Sequence, residues 1–189
     1  EITRQVALFQ RTGCPFPARF GTDNTLWRTK HIHPHLHRCL LNIDAIEAAL
    51  VDAGFEVHVT DFGNESAYAD YSAVTALMQR VSIFVGVEGA GSQHAAWLPK
   101  GRGGFMQLQP RRQGYWGADN VDLFTEAWLH YSGVCVHNWK LGDIYDQQVN
   151  PALLTTAVTQ LYDRLVSGSC LTCLVNASTG LCETLDRFN

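Results

Sequence analysis

The alternation of short apolar segments with amphipathic segments most constrains the fold of this chain. Strands are predicted at 5–9, 55–60, 81–87, 105–109 and 133–137. Helices are predicted at 43–53, 71–80, 92–97, 121–129 and 151–166. Strands that alternate with helices predict an α/β fold, in which a parallel sheet is covered by helices on both faces. The run 81–87 is apolar almost throughout, as expected for a strand buried on both faces.

Helix-end signals support these boundaries. Asn42 and Asn150 stand where N-cap residues belong, and Pro151 occupies a first helical turn. Gly54 follows the first helix at the position that favours a left-handed residue. We therefore divide the chain into a Rossmann-like domain at 1–166 and a cysteine-containing tail at 167–189, which we expect to be a disulfide-stapled appendage.

Composition bounds the class of protein. Of 189 residues, 46% are hydrophobic and 17% charged, which suits one domain with a proper core rather than a disordered chain. The net charge of -4 predicts no general attraction to nucleic acid or anionic membranes. No apolar run reaches the roughly 18 residues of a membrane span. The first residues lack the order of a signal peptide, so we expect a processed chain or one part of something longer.

Cysteines and glycosylation sequons indicate an oxidising compartment. Six cysteines allow disulfides without defining their pairing: Cys14, Cys39, Cys135, Cys170, Cys173 and Cys182. The spacing of Cys170 and Cys173 also suits a redox or zinc motif, but its place in the tail, without a matching second pair, favours structural disulfides. Asn64 and Asn176 begin sequons. Together these features favour the Golgi or endoplasmic reticulum lumen, or the extracellular space.

The fold class predicts where a ligand would bind. Ligands of such sheets lie beyond the carboxyl ends of the strands, which places Arg11, Asp61, 88–91 and 109–112 on the ligand edge. Gly89, Ala90 and Gly91 join a buried strand to a helix N-terminus, which suits a phosphate but equally suits an ordinary tight turn. The carboxylate of Glu88 there is better suited to hydrogen bonds with sugar or ribose hydroxyls.

Two further patterns leave alternatives open. His31, His33, His35 and His37 would share one face of an extended segment and could bind zinc or copper, but Pro34 and nearby breakers favour a surface loop. We therefore predict no metal site. The stretch 111–116 holds two arginines and two aromatic residues. It could clamp a pyrophosphate and stack on a base, or form a solvated basic loop.

Several ordered blocks carry a family resemblance. They are Arg-Cys-Leu-Leu-Asn at 38–42, Gly-Phe at 54–55, Val-Gly-Val-Glu-Gly-Ala-Gly at 85–91 and Trp-Leu-Pro-Lys-Gly at 97–101. Their order and spacing resemble glycosyltransferase family 61 from about residue 6 to 110, and more loosely over 115–166. The tail has no counterpart in this pattern.

The resemblance implies the second Rossmann-like domain of a GT-B architecture, an inverting transfer and a UDP-linked sugar donor, with no cofactor required. The residues it assigns to the donor are Arg11, Arg38, Asn42, Gly89, Ala90, Gly91 and Ser92. In this assignment the two arginines meet the diphosphate, Asn42 braces their loop, and the N–H of Ser92 faces the donor. The acceptor would be a protein or glycan hydroxyl.

Two departures from the family pattern affect the expected activity. The family's histidine in the glycine-rich block is Glu88 here, and the acceptor-binding half is missing, so a partner chain or domain would have to supply it. Inverting transfer needs a general base, for which Glu88 and His94 are the candidates and Asp61 is conceivable. The alternatives are a catalytically inactive module with a structural or interaction role, and a histidine-rich metal-binding protein.

Overall fold

A seven-stranded sheet forms the centre of the molecule. The computed structural model describes residues 1–10, 40–60, 70–87, 90–110, 132–141, 148–170, 173–176 and 178–184. The strands are β1 (Gln5–Phe9), β2 (Glu56–Thr60), β3 (Ile83–Val87), β4 (Gly104–Pro110), β5 (Cys135–Leu141), β6 (Cys173–Val175) and β7 (Cys182–Thr184). The helices are α1 (Ile43–Asp52), α2 (Tyr71–Arg80), α3 (Pro151–Ser167) and a 3₁₀-helix (Ala90–Trp97).

The strand order is β2-β1-β3-β4-β5-β6-β7. Strands β1 to β6 are parallel to one another, and β7 is antiparallel to β6. Among the described residues, no helix combines the length and hydrophobicity that a bilayer crossing requires.

Helices cover both faces of the sheet. On one face α1 and α3 pack over residues such as Leu8 and Val85, and this larger cluster extends along all the strands but β7. On the other face α2 and the 3₁₀-helix pack over Ala7, Phe84 and Phe105. The predicted α/β fold is confirmed, because the side chains of β3 are buried on both faces of the sheet.

The helix ends follow local chemistry with one exception. Asn150 caps α3 by accepting hydrogen bonds from the N–H groups of Ala152 and Leu153, as predicted. Gly168 ends α3 with a left-handed φ of 68°. Asn42 precedes α1 but makes no capping bond, because its side chain is engaged elsewhere.

The clearest differences from the sequence prediction are in β5 and the 3₁₀-helix, whereas β2, β3, β4, α1 and α3 differ by one or two residues. Strand β5 begins at Cys135 rather than at Gly133, whose φ of 72° places it in a turn. The strand then continues to Leu141 because it stays in register with the whole of β4. The predicted helix at 92–97 is a 3₁₀-helix that already begins at Ala90. The predicted helix at 121–129 lies outside the described residues.

The tail adds two strands to the main sheet. Strand β6 pairs with the middle of β5, and β7 forms the outer edge. Two disulfides fasten this hairpin, Cys135–Cys170 and Cys173–Cys182. The two cysteines of the tail's Cys-x-x-Cys motif therefore belong to different disulfides, so the structural reading of these four cysteines is confirmed. Cys14 and Cys39 lie outside the described residues.

Candidate functional site

The strand order creates a crevice at the carboxyl ends of β1 and β3. From β1 the chain goes through α1 to β2 on one side, whereas from β3 it goes to β4 on the other side. Adjacent connections that leave in opposite directions open a gap between them, and ligands of doubly wound sheets bind there. The segment that follows β3 at this crevice holds the glycine-rich turn singled out in the sequence.

Gly91 lies against the aromatic ring of Phe9, the last residue of β1. A Cβ atom on Gly91 would lie 2.3 Å from Cζ of Phe9 and 2.4 Å from its Cε1. The ring also contacts the place where a side chain on Gly86 would begin, at 3.3 Å. The lack of a side chain at Gly91 is therefore required by packing between β1 and the 3₁₀-helix, whether or not a ligand approaches this turn.

The 3₁₀-helix that follows β3 carries two polar side chains of the predicted site. Ser92 is buried, and its hydroxyl donates a hydrogen bond of 3.4 Å to the carbonyl of Val87. His94 is half-buried, and burial lowers the pKa of its imidazole below the ordinary value. The ring is consequently neutral near pH 7, which is the form that can accept a proton.

Two amide side chains fix the segments around the crevice. The buried Gln10 follows β1, and its amide bonds both backbone groups of Leu40, at 2.8 Å and 3.1 Å. The amide of Asn42 does the same with Val149, at 2.7 Å and 3.2 Å. The expectation that Asn42 caps α1 is therefore wrong. Its side chain ties the start of α1 to the residues before α3, because two bonds to one extended backbone satisfy the amide more fully than one capping bond.

A cluster of buried amides begins in the middle of β4 and β5 and extends toward the carboxyl end of β4. Gln107, Gln109 and Asn138 project from the face that α2 and the 3₁₀-helix cover, and they are 0%, 7% and 0% exposed. The sequence interpretation placed Gln109 on the ligand edge but missed the other two residues. The signal was present in β4, where polar residues alternate with apolar ones at 106–109 inside a buried strand.

The assigned site residues divide into described and undescribed ones. The described residues include Asn42, Ala90, Gly91, Ser92 and His94, of which the last four share the 3₁₀-helix after β3. Four further assignments lie outside the described residues, namely Arg11, Arg38, Glu88 and Gly89. The same holds for Asp61, Asn64, the histidine run at 31–37 and the stretch 111–116. The assigned donor contacts and catalytic roles all stay predictions.

Asn176 lies at the turn between β6 and β7. Its side-chain oxygen accepts a hydrogen bond of 2.8 Å from the N–H of Ser178. Its carbonyl accepts another, from the N–H of Gly180, which closes the turn. The sequon asparagine is half-buried at the end of the disulfide-fastened hairpin. Glycosylation of Asn176 stays a prediction.

His137 forms a second cluster with the hairpin disulfide. Its Nε2 lies 3.9 Å from Sγ of Cys182, and one possible ligand atom from each of His137, Cys173 and Cys182 lies within 4.8 Å of the others. Burial, and then the nearby charge of Arg164, lower the pKa of His137 to about 3. The two sulfurs are bonded to each other, so they are not the thiolates that zinc requires.

The sheet order, the crevice and the covering helices define a doubly wound α/β domain. The chain matches no family model and no curated protein. The resemblance to glycosyltransferase family 61 therefore depends on the ordered sequence blocks alone.

Proposed function

We propose that this domain binds a UDP-linked sugar at the crevice between β1 and β3, as the donor-binding half of an inverting glycosyltransferase. The observation that carries the proposal is the strand order, because it places the switch point where the glycine-rich block of the family pattern follows β3. The acceptor, a protein or glycan hydroxyl, would be held by another domain or a partner chain. No cofactor is required in this scheme.

The described contacts give physical support to this assignment. Gln10, which follows β1, binds the backbone of Leu40, the first described residue after 11–39. The side chain of Asn42 binds the backbone of Val149 just before α3. The block that contains Arg38 therefore continues into a fixed backbone at the crevice. In the transfer, His94 has the neutral imidazole that a general base needs, and Glu88 is the second candidate for this role.

A second candidate function is an inactive module with a structural or interaction role. The contact between Gly91 and the ring of Phe9 favours it, because packing alone explains this glycine. The carboxylate at Glu88, where the family has a histidine, would also repel a diphosphate. In either function, the two disulfides suit a secretory-pathway lumen or the extracellular space.

Calorimetric titration of the purified chain with UDP tests the donor site. The variants are Arg38→Ala and Glu88→His, and Arg102→Ala is the matched control. Arg102 is an exposed arginine in the turn before β4, at the opposite edge of the sheet. We expect binding that Arg38→Ala abolishes, Glu88→His strengthens and Arg102→Ala leaves unchanged.

The other outcomes separate the two functions. If only Glu88→His binds UDP, the domain has lost the ability to bind its sugar donor, and this result would support the inactive module. If no folded variant binds UDP, the donor site is wrong and only the fold remains. Equal losses in Arg38→Ala and Arg102→Ala would mean that UDP is attracted by general charge rather than by a site.

A further inference from the structure

The amide cluster on β4 and β5 leaves one hydrogen-bond donor without an acceptor. The Nε2 group of Gln109 donates to Oε1 of Gln107 at 3.2 Å and to Oδ1 of Asn138 at 3.4 Å. The Nε2 group of Gln107 is buried and has no hydrogen-bond partner within the described part of the chain. One amide thus accepts a bond inside the cluster while its own N–H groups remain available.

The position of Gln107 relative to the sheet indicates where this donor lies. Along the sheet, Gln107 is in register between Gly86 of β3 and Asn138 of β5. One step toward the amino ends of the strands, the same face carries apolar side chains on β1, β3, β4 and β5, including the stacked pair Phe84 and Phe105, and it carries His58 on β2. The amides therefore mark the boundary between the apolar core and the ligand edge.

Gly86 is the neighbour of Gln107 on the side of the crevice, and it contributes no side chain there. The place of its missing side chain is covered by Phe9, whose Cβ and Cδ1 lie 3.3 Å from where a Cβ atom would stand, and by Cζ of Phe84 at 3.5 Å. An unpaired amide donor at such a place keeps its desolvation penalty until an acceptor arrives. A leucine would avoid this penalty, so the cost is explained if a ligand supplies the acceptor.

The chemistry of the cluster selects a neutral acceptor. All three side chains are uncharged, and a buried phosphate or carboxylate would need a cation that these amides do not supply. A carbonyl oxygen needs only a donor such as Gln107 Nε2. A UDP-sugar presents such an oxygen in two places, on the uracil ring and on the acetamido group of an N-acetylated sugar.

We infer that Gln107 binds a carbonyl oxygen of the donor and thereby contributes to the choice of nucleotide or sugar. This inference rests on the proposed donor site and deepens it. Gln109 acts as a positioning residue, because its amide holds the carbonyl of Gln107 and so turns Nε2 away from the cluster. Asn138 fixes Gln109 from the other side.

The experiment measures the affinity of the whole chain for UDP, UDP-glucose and UDP-N-acetylglucosamine. The variant Gln107→Leu removes the donor, and Gln107→Met is a second apolar variant with an unbranched side chain of similar length. The matched control is Gln5→Leu at the amino end of β1, where the glutamine also has one buried amide atom without a partner. The unfolding temperature of each ligand-free variant is recorded in parallel.

We expect the Gln107 variants to lose about tenfold in affinity while their unfolding temperature changes little, since removal of the unpaired donor offsets the loss of the hydrogen bond from Gln109. Equal loss for all three probes assigns the carbonyl to uracil, and loss for UDP-N-acetylglucosamine alone assigns it to the acetamido group. Gln5→Leu should bind all three as wild type does.

Unchanged affinities in a folded Gln107 variant would overturn the inference but leave the donor site standing. An equal loss in Gln5→Leu would also overturn it, because the effect would then be general. If the wild-type chain binds none of the probes, the proposed function fails, and the inference fails with it.

Discussion

Substituting Gly91 with alanine tests whether packing between β1 and the 3₁₀-helix determines this position. The added Cβ would lie 2.3 Å from the tip of the Phe9 ring. An ordinary carbon contact is about 3.5 Å, so the ring or the helix must move by about 1 Å. The ring has little room, because it already lies close to Gly86 and packs on Phe84 with a centroid distance of 6.0 Å.

Overpacking of this size destabilises proteins by about 1–3 kcal/mol. We therefore expect Gly91→Ala to lower the free energy of unfolding by that amount, which corresponds to a fall of about 2–12 °C in the unfolding temperature of a chain this long. Phe9→Leu removes the tip of the ring. In the double variant we expect most of the cost of Gly91→Ala to disappear, with a coupling energy of about 1–2 kcal/mol.

The assay is guanidinium unfolding with the disulfides intact, followed by circular dichroism for the two single variants and the double variant. The control is Gly101→Ala, where nothing lies within 4 Å of the added Cβ and the strain comes only from a φ of 71°. Its cost should add to that of Phe9→Leu without coupling. Additive costs for Gly91→Ala and Phe9→Leu would refute the packing argument.

Three further predictions concern the fold. Gln10→Leu should destabilise by about 2–4 kcal/mol in chemical unfolding, because it leaves two buried backbone groups unpaired, and an equally stable variant would contradict this. The pKa of His137 is about 3 in the folded state and 6.5 in the unfolded state. The free energy of unfolding should therefore be highest above pH 6.5 and fall by up to about 1.4 kcal/mol per pH unit as the pH drops toward 3. The variant His137→Gln should flatten this pH profile. Replacing Cys135 and Cys170 by serine should lower the free energy of unfolding by about 4 kcal/mol, and replacing Cys173 and Cys182 should lower it by about 3 kcal/mol, because the first disulfide closes the longer loop. The reverse order in thermal unfolding would contradict the loop-length argument.

Patterns local in sequence predicted most of the fold. The second helix was predicted at 71–80, and α2 has these boundaries, because apolar spacing decides which face of a helix is buried. The cap at Asn150 was also predicted correctly, since its partners are two and three residues away. Asn42 was predicted wrongly because its partner, Val149, is distant in the chain.

The placement of the tail illustrates what sequence rules could not provide. Helices α1 and α3 pack on the same face, but the chain moves from β1 to β2 in one direction and from β5 to β6 in the other. The two connections therefore have opposite hands, and one of them departs from the right-handed preference of parallel crossovers. A rule that predicts only the common hand could not have found β6 beside β5.

The candidate site was predictable only in outline. The ligand edge follows from the alternation of strands and helices, and Gly91 lies there as expected. The contact between Gly91 and Phe9 could not be foreseen, because residues 82 positions apart meet only in the assembled sheet. The amide of Gln107 was missed for a similar reason, since its unmet donor depends on neighbours from other strands.

The hairpin of β6 and β7 also affects the solution behaviour of the chain. Its two disulfides hold the hairpin in place beside β5, where β6 pairs with the backbone of β5. The side chains of β5 at 135–139 are all buried. If both disulfides were reduced and the hairpin detached, β5 would become an outer strand with free backbone groups and an apolar surface. Such an edge pairs readily with the same edge of a second molecule, so the redox state of the tail should decide whether the protein self-associates.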